Sequence, residues 1–392
     1  MKWKEMKILL LNHNVAWKGG TFFRSYHFGR HLVRRGHQVT LLTISPNLRH
    51  GFQVVKNNGF RIVETPDLLW GRARSGWDPW GTLNRISYIA RHSYDLVHAF
   101  DSRPEVILPA LYCRKHHKSP IVLDWADWWG RGGLTSERDG RFVNLLIAPI
   151  ETFFEEAFRS GADGNTVISM ALYRRALSLG VKPSRLLHLV QGSDIEGIQP
   201  LEHSRARELL GLPTDITIIG HLGVLQPKDG EFLFSVFDLL RKAAPNVGLA
   251  LIGRHRCNLN KYKGEHGSWF ETGPLPKGKL PLYLAACDLL LLPLADTLSN
   301  RARWPSRVND YFAAGRPVVA TAVGDVADIL RAEEVGIVKQ PQPEEFLDGI
   351  LTLLRNKELR LSLGKKGREL GETKLSWPRL TEILEEFYLK IC

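Results

Sequence analysis

One stretch of the sequence places charged side chains directly before an apolar run: Asn300–Ala320, NRARWPSRVNDYFAAGRPVVA. Pro305 and Ser306 are typical of a helix start, and Gly315 is typical of the left-handed residue that ends a helix. The predicted helix therefore begins at Pro305 and ends at Ala314, with its N-terminus aimed at a strand end. A helix N-terminus presents free backbone N–H groups, which attract an anion.

The charged side chains of this helix predict the kind of ligand. Arg301, Arg303 and Arg307 surround the expected N-terminus and favour a phosphate. Asp310 lies three residues after Arg307 on the same helix face, where its carboxylate can accept hydrogen bonds from two vicinal hydroxyls. A phosphate beside a diol describes a ribonucleotide, and we expect Ser306 and these four residues to bind one.

Two further loops combine glycine with a following helix, as phosphate-binding loops do. Gly19 and Gly20 follow an apolar strand and precede a helix that begins at about Thr21, so the backbone can approach a ligand closely. Neither G-x-G-x-x-G nor a Walker sequence is present, and a plain turn is the alternative. In GHLGVLQPKDGEFL, Lys228 lies near the start of another helix, where it would hold a phosphate or stay solvated.

Acidic and imidazole side chains at two strand ends are candidates for catalysis. Asp124 and Asp127 follow an apolar run among three tryptophans, in VLDWADWWGRGG. Carboxylates beside aromatic rings suit a sugar, because its hydroxyls need acceptors and its C–H faces stack. The alternative is a helix cap beside a loop packed by tryptophan. His98, in DLVHAFDSRPE, ends another strand, and the acid and base that follow it predict a role in a cleft.

These loops require a scaffold that brings strand ends together. Short apolar runs alternate with segments whose apolar residues recur every three or four positions, which predicts parallel sheets covered by helices on both faces. The predicted strands are Lys7–Leu11, Val39–Thr43, Arg61–Thr65, Asp95–Ala99, Pro120–Asp124, Asn165–Ser169, Leu186–Val190, Ile216–Gly223, Val247–Gly253, Trp269–Gly273, Asp288–Pro293, Arg316–Val323 and Val335–Lys339.

The pattern pauses at a polar stretch with glycine and proline near residue 195 and then restarts. It predicts an α/β protein of two Rossmann-like, doubly wound parallel-sheet domains facing across a cleft. The expected boundaries are 1–195 for the N-terminal domain, 196–376 for the C-terminal domain, and 377–392 for a C-terminal helix that can pack back on the N-terminal domain. In such sheets, ligands bind beyond the carboxyl ends of the strands.

The amino-acid composition limits which classes of protein the chain can belong to. Hydrophobic residues make up 44% and charged residues 24%, as in an ordinary globular chain. The four cysteines are scattered, so neither a disulfide framework nor a zinc site is predicted, and His255 with Cys257 is too small a ligand set. No apolar window is long enough to span a membrane, and the N-terminus does not continue as a signal peptide. We therefore expect a cytoplasmic protein.

The net charge of +12 fits a solvated basic surface or an anionic partner. No nucleic-acid-binding motif accompanies the basic residues, so nucleic acid is not expected as a partner. Leu68–Arg85 combines arginines with Trp70, Trp77 and Trp80 and fits two interpretations. It can dock on the anionic inner face of the cytoplasmic membrane, as in a peripheral membrane protein, or pack as a loop on the N-terminal domain.

The chain resembles the retaining glycosyltransferases with the GT-B fold, glycosyltransferase family 4 or group 1, over nearly its full length. KGGTFFRSYHFGRHLVRRGHQVTLLT is similar to that family's Gly-Gly loop, helix and GH-x-V strand, and YDLVHAF to its D-V-V-H strand. VQGSDIEGIQP resembles its hinge. The most specific likeness is WPSRVNDYFAAGRPVVATAVG, which resembles the donor motif P-x-K-x-x-E-Y-x-A-x-G-x-P-V-V-A-T.

The resemblance implies roles for single residues. Asp310 stands at the family's ribose-binding glutamate, Arg307 at the lysine of P-x-K, and Gly19 and Gly20 at the loop near the donor phosphates and the acceptor. It also implies sugar transfer with retention and without a metal, in which basic side chains and helix N-termini stabilise the leaving diphosphate.

The sequence departs from the family pattern at the donor site. Ala302 stands where the family has a second glutamate that touches the donor sugar. Val224 replaces the arginine of G-R-L, and Lys228 is displaced by one position from the family lysine. The candidates to supply the lost charge are Arg301, Arg303 and His221.

The sequence therefore predicts a glycosyltransferase that moves a sugar from a nucleotide-diphosphate donor to a hydroxyl of a glycan or lipid-linked acceptor, such as a cell-surface polysaccharide intermediate. We expect the donor in the C-terminal domain, the acceptor in the N-terminal domain, no cofactor and no metal. Two alternatives stay open. One is a nucleotide-sugar epimerase of the same fold, and the other is a subunit that binds nucleotide sugar without catalysis, suggested by Ala302 and Val224.

Overall fold

The computed structural model describes residues 5–47, 50–57, 59–68, 75–137, 141–255, 257–262, 269–276 and 278–392. They form two compact units. Unit 1 consists of Met1–Gln191 together with Trp377–Cys392, and unit 2 consists of Gly192–Ser376. The chain therefore leaves unit 1, completes unit 2 and returns to unit 1 with its last helix.

Unit 1 alternates strands with helices over most of its length. Its strands are β1 (Lys7–Val15), β2 (Gln38–Ile44), β3 (Gln53–Asn57), β4 (Phe60–Thr65), β5 (Leu96–Phe100), β6 (Ile121–Trp125), β7 (Gly164–Val167) and β8 (Leu186–His188). Its helices are α1 (Gly20–Arg34), α2 (Pro79–Ile89), α3 (Pro104–His117), α4 (Arg141–Glu156), α5 (Met170–Ser178) and, after unit 2, α14 (Trp377–Ile391).

The sheet of unit 1 has the strand order β3-β4-β2-β1-β5-β6-β7-β8 and is parallel except for β3, which runs antiparallel to β4. Every residue of β5 and β6 is buried, because helices cover both faces of the sheet. One face packs against α1 and α14, through side chains such as Phe28 and Phe387. The chain order reverses between β1 and β5, so the carboxyl ends of these two strands form the switch point of this sheet.

Unit 2 repeats the alternation with a smaller sheet. Its strands are β9 (Thr217–Leu222), β10 (Val247–Ile252), β11 (Trp269–Glu271), β12 (Leu289–Leu292), β13 (Val318–Thr321) and β14 (Gly336–Lys339). Its helices are α6 (His203–Leu210), α7 (Pro227–Ala243), α8 (Leu280–Ala286), α9 (Leu298–Ala302), α10 (Arg307–Ala313), α11 (Gly324–Ala332), α12 (Pro343–Arg355) and α13 (Lys357–Thr373).

The strands of unit 2 are all parallel, in the order β11-β10-β9-β12-β13-β14. The chain order reverses between β9 and β12, which makes their carboxyl ends the switch point of this sheet. Phe234 and Phe237 of α7 and Phe346 and Ile350 of α12 belong to one buried apolar cluster. This cluster fixes α7, whose first turn lies directly after the loop that follows β9.

The two doubly wound sheets confirm the predicted fold class, and each predicted strand is present. The sequence did not predict β3, because this short edge strand lacks a continuous apolar run. The helix predicted from Pro305 to Ala314 is present, but its start lies two residues later: α10 begins at Arg307 and ends at Ala313. Pro305 and Ser306 form a turn before it, in which the Val308 N–H donates to the Pro305 carbonyl at 3.0 Å. Gly315 has the predicted left-handed conformation, with φ of 64°.

Candidate functional site

Helix α10 is attached directly to the strand ends at the switch point of unit 2. The Tyr311 hydroxyl accepts a hydrogen bond from the Leu222 N–H (3.0 Å) and donates one to the Leu291 carbonyl (3.1 Å). Val308, Tyr311 and Phe312 are fully buried, as the spacing of these residues predicts. These contacts hold the first turn of α10, and with it Arg307 and Asp310, at the carboxyl ends of β9 and β12.

Arg307 determines the protonation of a histidine that the sequence analysis named only as a substitute charge. The Arg307 guanidinium donates to His221 Nε2 and, at 3.1 Å, to the Val224 carbonyl. A guanidinium has no acceptor, so Nε2 must accept and the proton of neutral His221 lies on Nδ1. Burial, together with the charges of Arg307, His255 and Arg303, keeps the pKa of His221 well below its usual value. Nδ1 is buried and has no hydrogen-bond partner among the described residues.

Arg303 is held beside this pair by a carboxylate of α7. Asp229, in the first turn of α7, accepts hydrogen bonds from the Ala295 N–H (2.9 Å) and from Asn300 Nδ2 (3.2 Å). Its other oxygen lies 3.6 Å from a terminal nitrogen of Arg303. That nitrogen and Arg303 Nε are buried without a hydrogen bond to any described residue. One carboxylate therefore fixes the position of Arg303 but leaves several of its donors unused.

Two loops of unit 2 approach each other closely beside Arg307. Leu225, after β9, forms an isolated parallel bridge with His255, after β10. A Cβ at Gly253 would lie 3.4 Å from the backbone of Gly223, and both glycines have positive φ, 106° and 89°. Larger residues would strain this crossing. Burial is the main reason that the pKa of His255 is lowered, and the charge of Arg307 contributes.

Asp310 has a perturbed carboxyl group. Burial and the neighbouring Asp194 raise its pKa to about 7, although Arg307 acts in the opposite direction. Asp194 itself accepts a hydrogen bond from the Gly197 N–H at 3.1 Å. A carboxyl group that is half protonated near neutral pH can both donate to and accept from hydroxyls.

The other side chains predicted for donor binding are exposed. Lys228 and Ser306 are exposed, and Ser306 makes no capping hydrogen bond to α10 through its side chain. Arg301 is also exposed, and Asp296 neutralises it through two hydrogen bonds of 2.5 and 2.6 Å. Ala302 is fully buried in α9. The structure thus brings Arg303, Arg307 and Asp310 together with His221, Asp229 and His255, and it leaves Arg301 apart from them.

The predicted glycine loop of unit 1 forms the start of α1. The helix begins at Gly20, and Gly19 precedes it with φ of 89°. Asn14, at the end of β1, accepts a hydrogen bond from the Phe22 N–H at 2.9 Å, so it caps this helix from the strand. A Cβ at Gly20 would meet no atom within 4 Å. The loop is therefore open at Gly20, and its predicted role in donor binding stays a prediction.

Asp124 and His98 are both fully buried within unit 1, and their predicted catalytic roles stay predictions. Asp124 pairs with Arg24 at 3.0 Å and accepts from the Thr166 hydroxyl at 2.6 Å. That hydroxyl must then accept from His98 Nε2 (3.1 Å), and the Tyr388 hydroxyl donates to Nδ1 (2.6 Å). Burial lowers the pKa of His98 to about 3, so it is neutral. Asp124 and His98 therefore connect β6 and β5 to α1 and α14.

Asp127 lies in the loop after β6 and is partly buried. Glu155 of α4 organises this loop, since it accepts hydrogen bonds from Trp125 Nε1 (2.9 Å) and the Trp129 N–H (2.7 Å). The predicted catalytic role of Asp127 stays a prediction. In the preceding basic stretch, Trp70 lies outside the described residues, whereas Trp77 packs on Phe154 with ring centroids 5.6 Å apart. This contact packs Trp77 on unit 1, Pro79–Arg85 belong to α2, and membrane docking of the stretch stays a prediction.

At the switch point of unit 1, His13, which was not predicted, meets Asp101, the acid that follows His98. His13 Nε2 is 2.7 Å from Asp101, and His13 Nδ1 is 3.1 Å from the Ser75 hydroxyl. Burial disfavours the charge of Asp101, but His13, Arg103 and the Ser102 N–H outweigh it and lower the pKa of Asp101. Asp101 has φ of 77°, which is strained for a residue other than glycine. Only the pairing of β1 with β5 reveals this contact between residues 88 positions apart.

The described residues contain neither a metal-binding cluster nor a membrane-spanning helix. No three His, Cys, Asp or Glu side chains lie close enough there to share a metal ion. Likewise, no described helix combines the length and apolar character needed to cross a membrane. The absence of a metal from the reaction stays a prediction.

Two family models match the chain, one for each half. The Glycosyltransferase Family 4 model matches residues 18–195, and the Glycosyl transferases group 1 model matches residues 214–356. A sulfoquinovosyl transferase of Arabidopsis thaliana is 27% identical over 95% of this chain and 71% of its own length. A D-inositol 3-phosphate glycosyltransferase of Thermomonospora curvata is 26% identical over 61% of this chain, and the match spans only 59% of that relative.

Solved structures share the whole architecture. Sucrose-phosphate synthase from Thermosynechococcus elongatus superposes with a TM-score of 0.76 at 17% identity, covering 99% of each chain. HepE of Anabaena in complex with UDP-glucose has a TM-score of 0.71 at 16% identity, covering 98% of this chain and all of that one. At these identities the likeness shows the fold. Together with the family models, it identifies the chain as a glycosyltransferase of the GT-B fold, with a Family 4 region followed by a group 1 region.

Proposed function

We propose that the enzyme transfers a sugar, with retention of anomeric configuration, from a nucleoside-diphosphate donor to a hydroxyl of a glycan or lipid-linked acceptor. The donor class is supported by HepE, which was solved with UDP and with UDP-glucose. The relatives named as sulfoquinovosyl transferase and D-inositol 3-phosphate glycosyltransferase support a sugar as the transferred group. We assign the donor to unit 2.

One observation carries this assignment: beside Arg307 lie buried hydrogen-bond donors that have no partner among the described residues. They are Nδ1 of His221 and two nitrogens of Arg303, and one carboxylate, Asp229, is paired with them. Buried donors in folded proteins are normally satisfied, so a cluster of unsatisfied ones indicates a missing acceptor. A diphosphate supplies several anionic oxygens, and charge-assisted bonds to it are stronger than neutral ones.

This cluster also accounts for one of two departures from the family pattern, the one at Val224. The arginine that Val224 replaces is compensated by Arg303 and by the Nδ1–H of His221, and Val224 itself contributes a carbonyl that orients Arg307. At Ala302 no such replacement is evident, because its side chain is a buried methyl group. The donor sugar is therefore read by other groups, and this position distinguishes the enzyme from relatives with glutamate there.

Each residue of the cluster has a role in the proposed mechanism. Asp310, with its pKa of about 7, binds the two ribose hydroxyls as both acceptor and donor. Arg307 and Arg303 stabilise the charge that develops on the leaving diphosphate as the bond to the sugar breaks. Donors already fixed in a buried site need no reorganisation at that moment, which is the main source of such stabilisation. We propose that the reaction uses no metal and takes place in the cytoplasm, with the acceptor bound by unit 1.

A thermal-shift panel tests the donor class. A ligand that binds only the native state raises its stability, so the nucleotide with the largest shift among UDP, GDP, ADP and dTDP identifies the base. Pyrophosphate, which lacks base and ribose, should give a smaller shift in the same direction. Nucleotide-sugar turnover with and without acceptor then separates transfer from two alternatives: epimerisation and binding without catalysis. The absence of a shift with all five compounds would refute the donor assignment.

A further inference from the structure

The two units share the positive charge of the chain very unequally. Unit 1 contains 29 lysine and arginine residues against 18 aspartate and glutamate residues, whereas unit 2 contains 24 against 23. The net charge of +12 is therefore almost entirely carried by unit 1. A surface of this unit attracts anionic partners over a distance of about one Debye length, roughly 8–10 Å at physiological salt.

Helix α4 of unit 1 has its polar and apolar faces reversed relative to an ordinary surface helix. Four large apolar side chains on one face are exposed: Leu145 at 72%, Leu146 at 72%, Ile150 at 49% and Phe153 at 55%. The opposite face is buried and carries two acidic residues, Glu151 and Glu155. An amphipathic surface helix normally buries its apolar stripe and exposes its charges.

Interior partners hold α4 in this orientation. Glu151 pairs with Arg103 at 2.9 Å. Glu155 accepts hydrogen bonds from Trp125, Trp129 and Gly130, so both of its oxygens have partners. A rotation that buried the leucines would expose these carboxylates and leave the Arg103 charge buried and unpaired, which is costly. The apolar face is therefore a stable outer surface of unit 1.

We propose that this face of α4, formed by Leu145, Leu146, Ile150 and Phe153, docks on the surface of an anionic lipid bilayer. An interfacial helix inserts its apolar side chains about 5–10 Å into the boundary between headgroups and acyl chains. The excess positive charge of unit 1 supplies the electrostatic attraction that makes such binding stable. Arg131 lies directly beside α4, because its backbone N–H donates to the Thr152 hydroxyl at 3.0 Å, and its side chain is exposed.

Charge decides between a bilayer and a second copy of the chain as the partner. Two copies joined through α4 would bring two strongly basic units together, and their like charges would oppose association. An anionic bilayer has the complementary charge. The inference does not depend on which donor the enzyme uses, and it places the docking surface on α4, which the stretch Leu68–Arg85 contacts through Trp77.

Vesicle co-sedimentation of the full chain tests this surface. Wild type should bind vesicles of equal parts phosphatidylcholine and phosphatidylglycerol and bind vesicles of phosphatidylcholine alone more weakly. The double variant Leu145→Glu/Leu146→Glu should lower the partition coefficient by at least about tenfold, since it removes two exposed leucines that would insert into the bilayer and adds two repelled charges. The matched control is Leu209→Glu/Leu361→Glu, which changes two leucines of unit 2 that are 52% and 63% exposed. It should retain vesicle binding within about twofold.

A milder variant keeps the test valid if the glutamates impair folding. Phe153→Gln adds no charge and should weaken vesicle binding by about threefold to tenfold, with an unchanged thermal melt. Equal binding by wild type and the α4 variants would overturn the proposal. Failure of the wild type to bind either kind of vesicle would also overturn it. One such case is a wild type that forms an oligomer in solution which the α4 substitutions dissociate. That last outcome would assign the face to a second copy.

Discussion

The two units arrange charge in opposite ways. Unit 1 is strongly basic overall, yet each carboxylate described at the ends of its central strands meets a base: Asp124 meets Arg24, and Asp101 meets His13. Unit 2 is almost neutral overall, yet its strand ends hold Arg303 and His221 with buried donors that have no partner among the described residues. Net charge therefore says little about where an anion binds. Beside Arg307, the indicator of a ligand site is a cluster of such donors.

The largest effect should come from breaking a balanced pair in unit 1. Asp124→Ala leaves Arg24 buried without its carboxylate, so we expect a loss of about 3–5 kcal/mol in the free energy of unfolding. Denaturant unfolding measures it. The control is Asp328→Ala on exposed helix α11, whose pair with Arg331 at 3.6 Å should contribute no more than about 0.5 kcal/mol. If the two variants are equally stable, the network around Asp124 is not structural and the contrast between the units fails.

A comparable effect on activity, without loss of stability, should come from unit 2. Arg307→Ala removes a preorganised donor to the leaving diphosphate, and we expect kcat/KM to fall by about 10²–10³-fold. Arg301→Ala removes an arginine that Asp296 already neutralises, so its activity should stay within about twofold of wild type. Initial rates of nucleotide-sugar turnover measure both. Equal losses for the two variants would mean that the cluster around Arg307 is not the selective anion site.

A smaller effect should follow from shortening the polar network of unit 1. Tyr388→Phe deletes the hydroxyl that donates to His98, and it leaves Nδ1 buried without a donor. We expect a loss of about 1–3 kcal/mol in the free energy of unfolding. Turnover at a temperature where both proteins are folded should be unchanged. A fall in kcat of Tyr388→Phe without loss of stability would instead support a catalytic role for His98.

The last effect should appear only as a dependence on pH. The pKa of Asp310 is raised in the folded protein from its usual 3.8 to about 7, so the folded state binds this proton more tightly than the unfolded state. This contribution to stability is complete below pH 4 and is lost as the pH rises through 7. Asp310→Asn removes it, so the stability of the variant relative to wild type should increase with pH by at most about 1.4 kcal/mol per unit.

His221 supplies the internal check on that measurement. Its pKa is lowered on folding, so its contribution has the opposite sign and is lost as the pH falls below its unfolded value near 6.5. Because both proteins contain His221, subtracting their curves cancels this term. Parallel stability curves for wild type and Asp310→Asn, measured from pH 4 to 8, would show that the Asp310 carboxyl is ordinarily solvated.

The fold was predictable from the sequence because buried parallel strands are nearly continuous apolar runs, which are visible without a structure. The edge strand β3 was not, since Val54 is exposed and an edge strand needs no apolar run. A position near the end of a predicted strand did not indicate whether a side chain faces solvent or the interior. Asp124 and His98 lie within β6 and β5, where both faces of the sheet are covered, so these side chains are interior.

The residues of the site were partly predictable for a similar reason. Arg307 and Asp310 share a helix face, which spacing alone reveals, and the structure places both at a strand end. His221, Asp229 and Arg303 come from a strand, another helix and the segment between α9 and α10. Their proximity depends on the pairing of β9 with β12 and on the start of α7. Local sequence carries no information about that assembly.

The return of α14 to unit 1 has a consequence for the order of synthesis. Tyr388 and His98, which bond in the core of unit 1, are 290 positions apart. At about 5–20 residues per second, a ribosome adds the second partner roughly 15–60 s after the first. Unit 2 is contiguous and can fold in that interval, whereas the face of unit 1 that packs against Leu384 and Phe387 stays uncovered. The half of the protein that is made first is thus the last to be completed, and chaperones that bind apolar surface have their longest opportunity there.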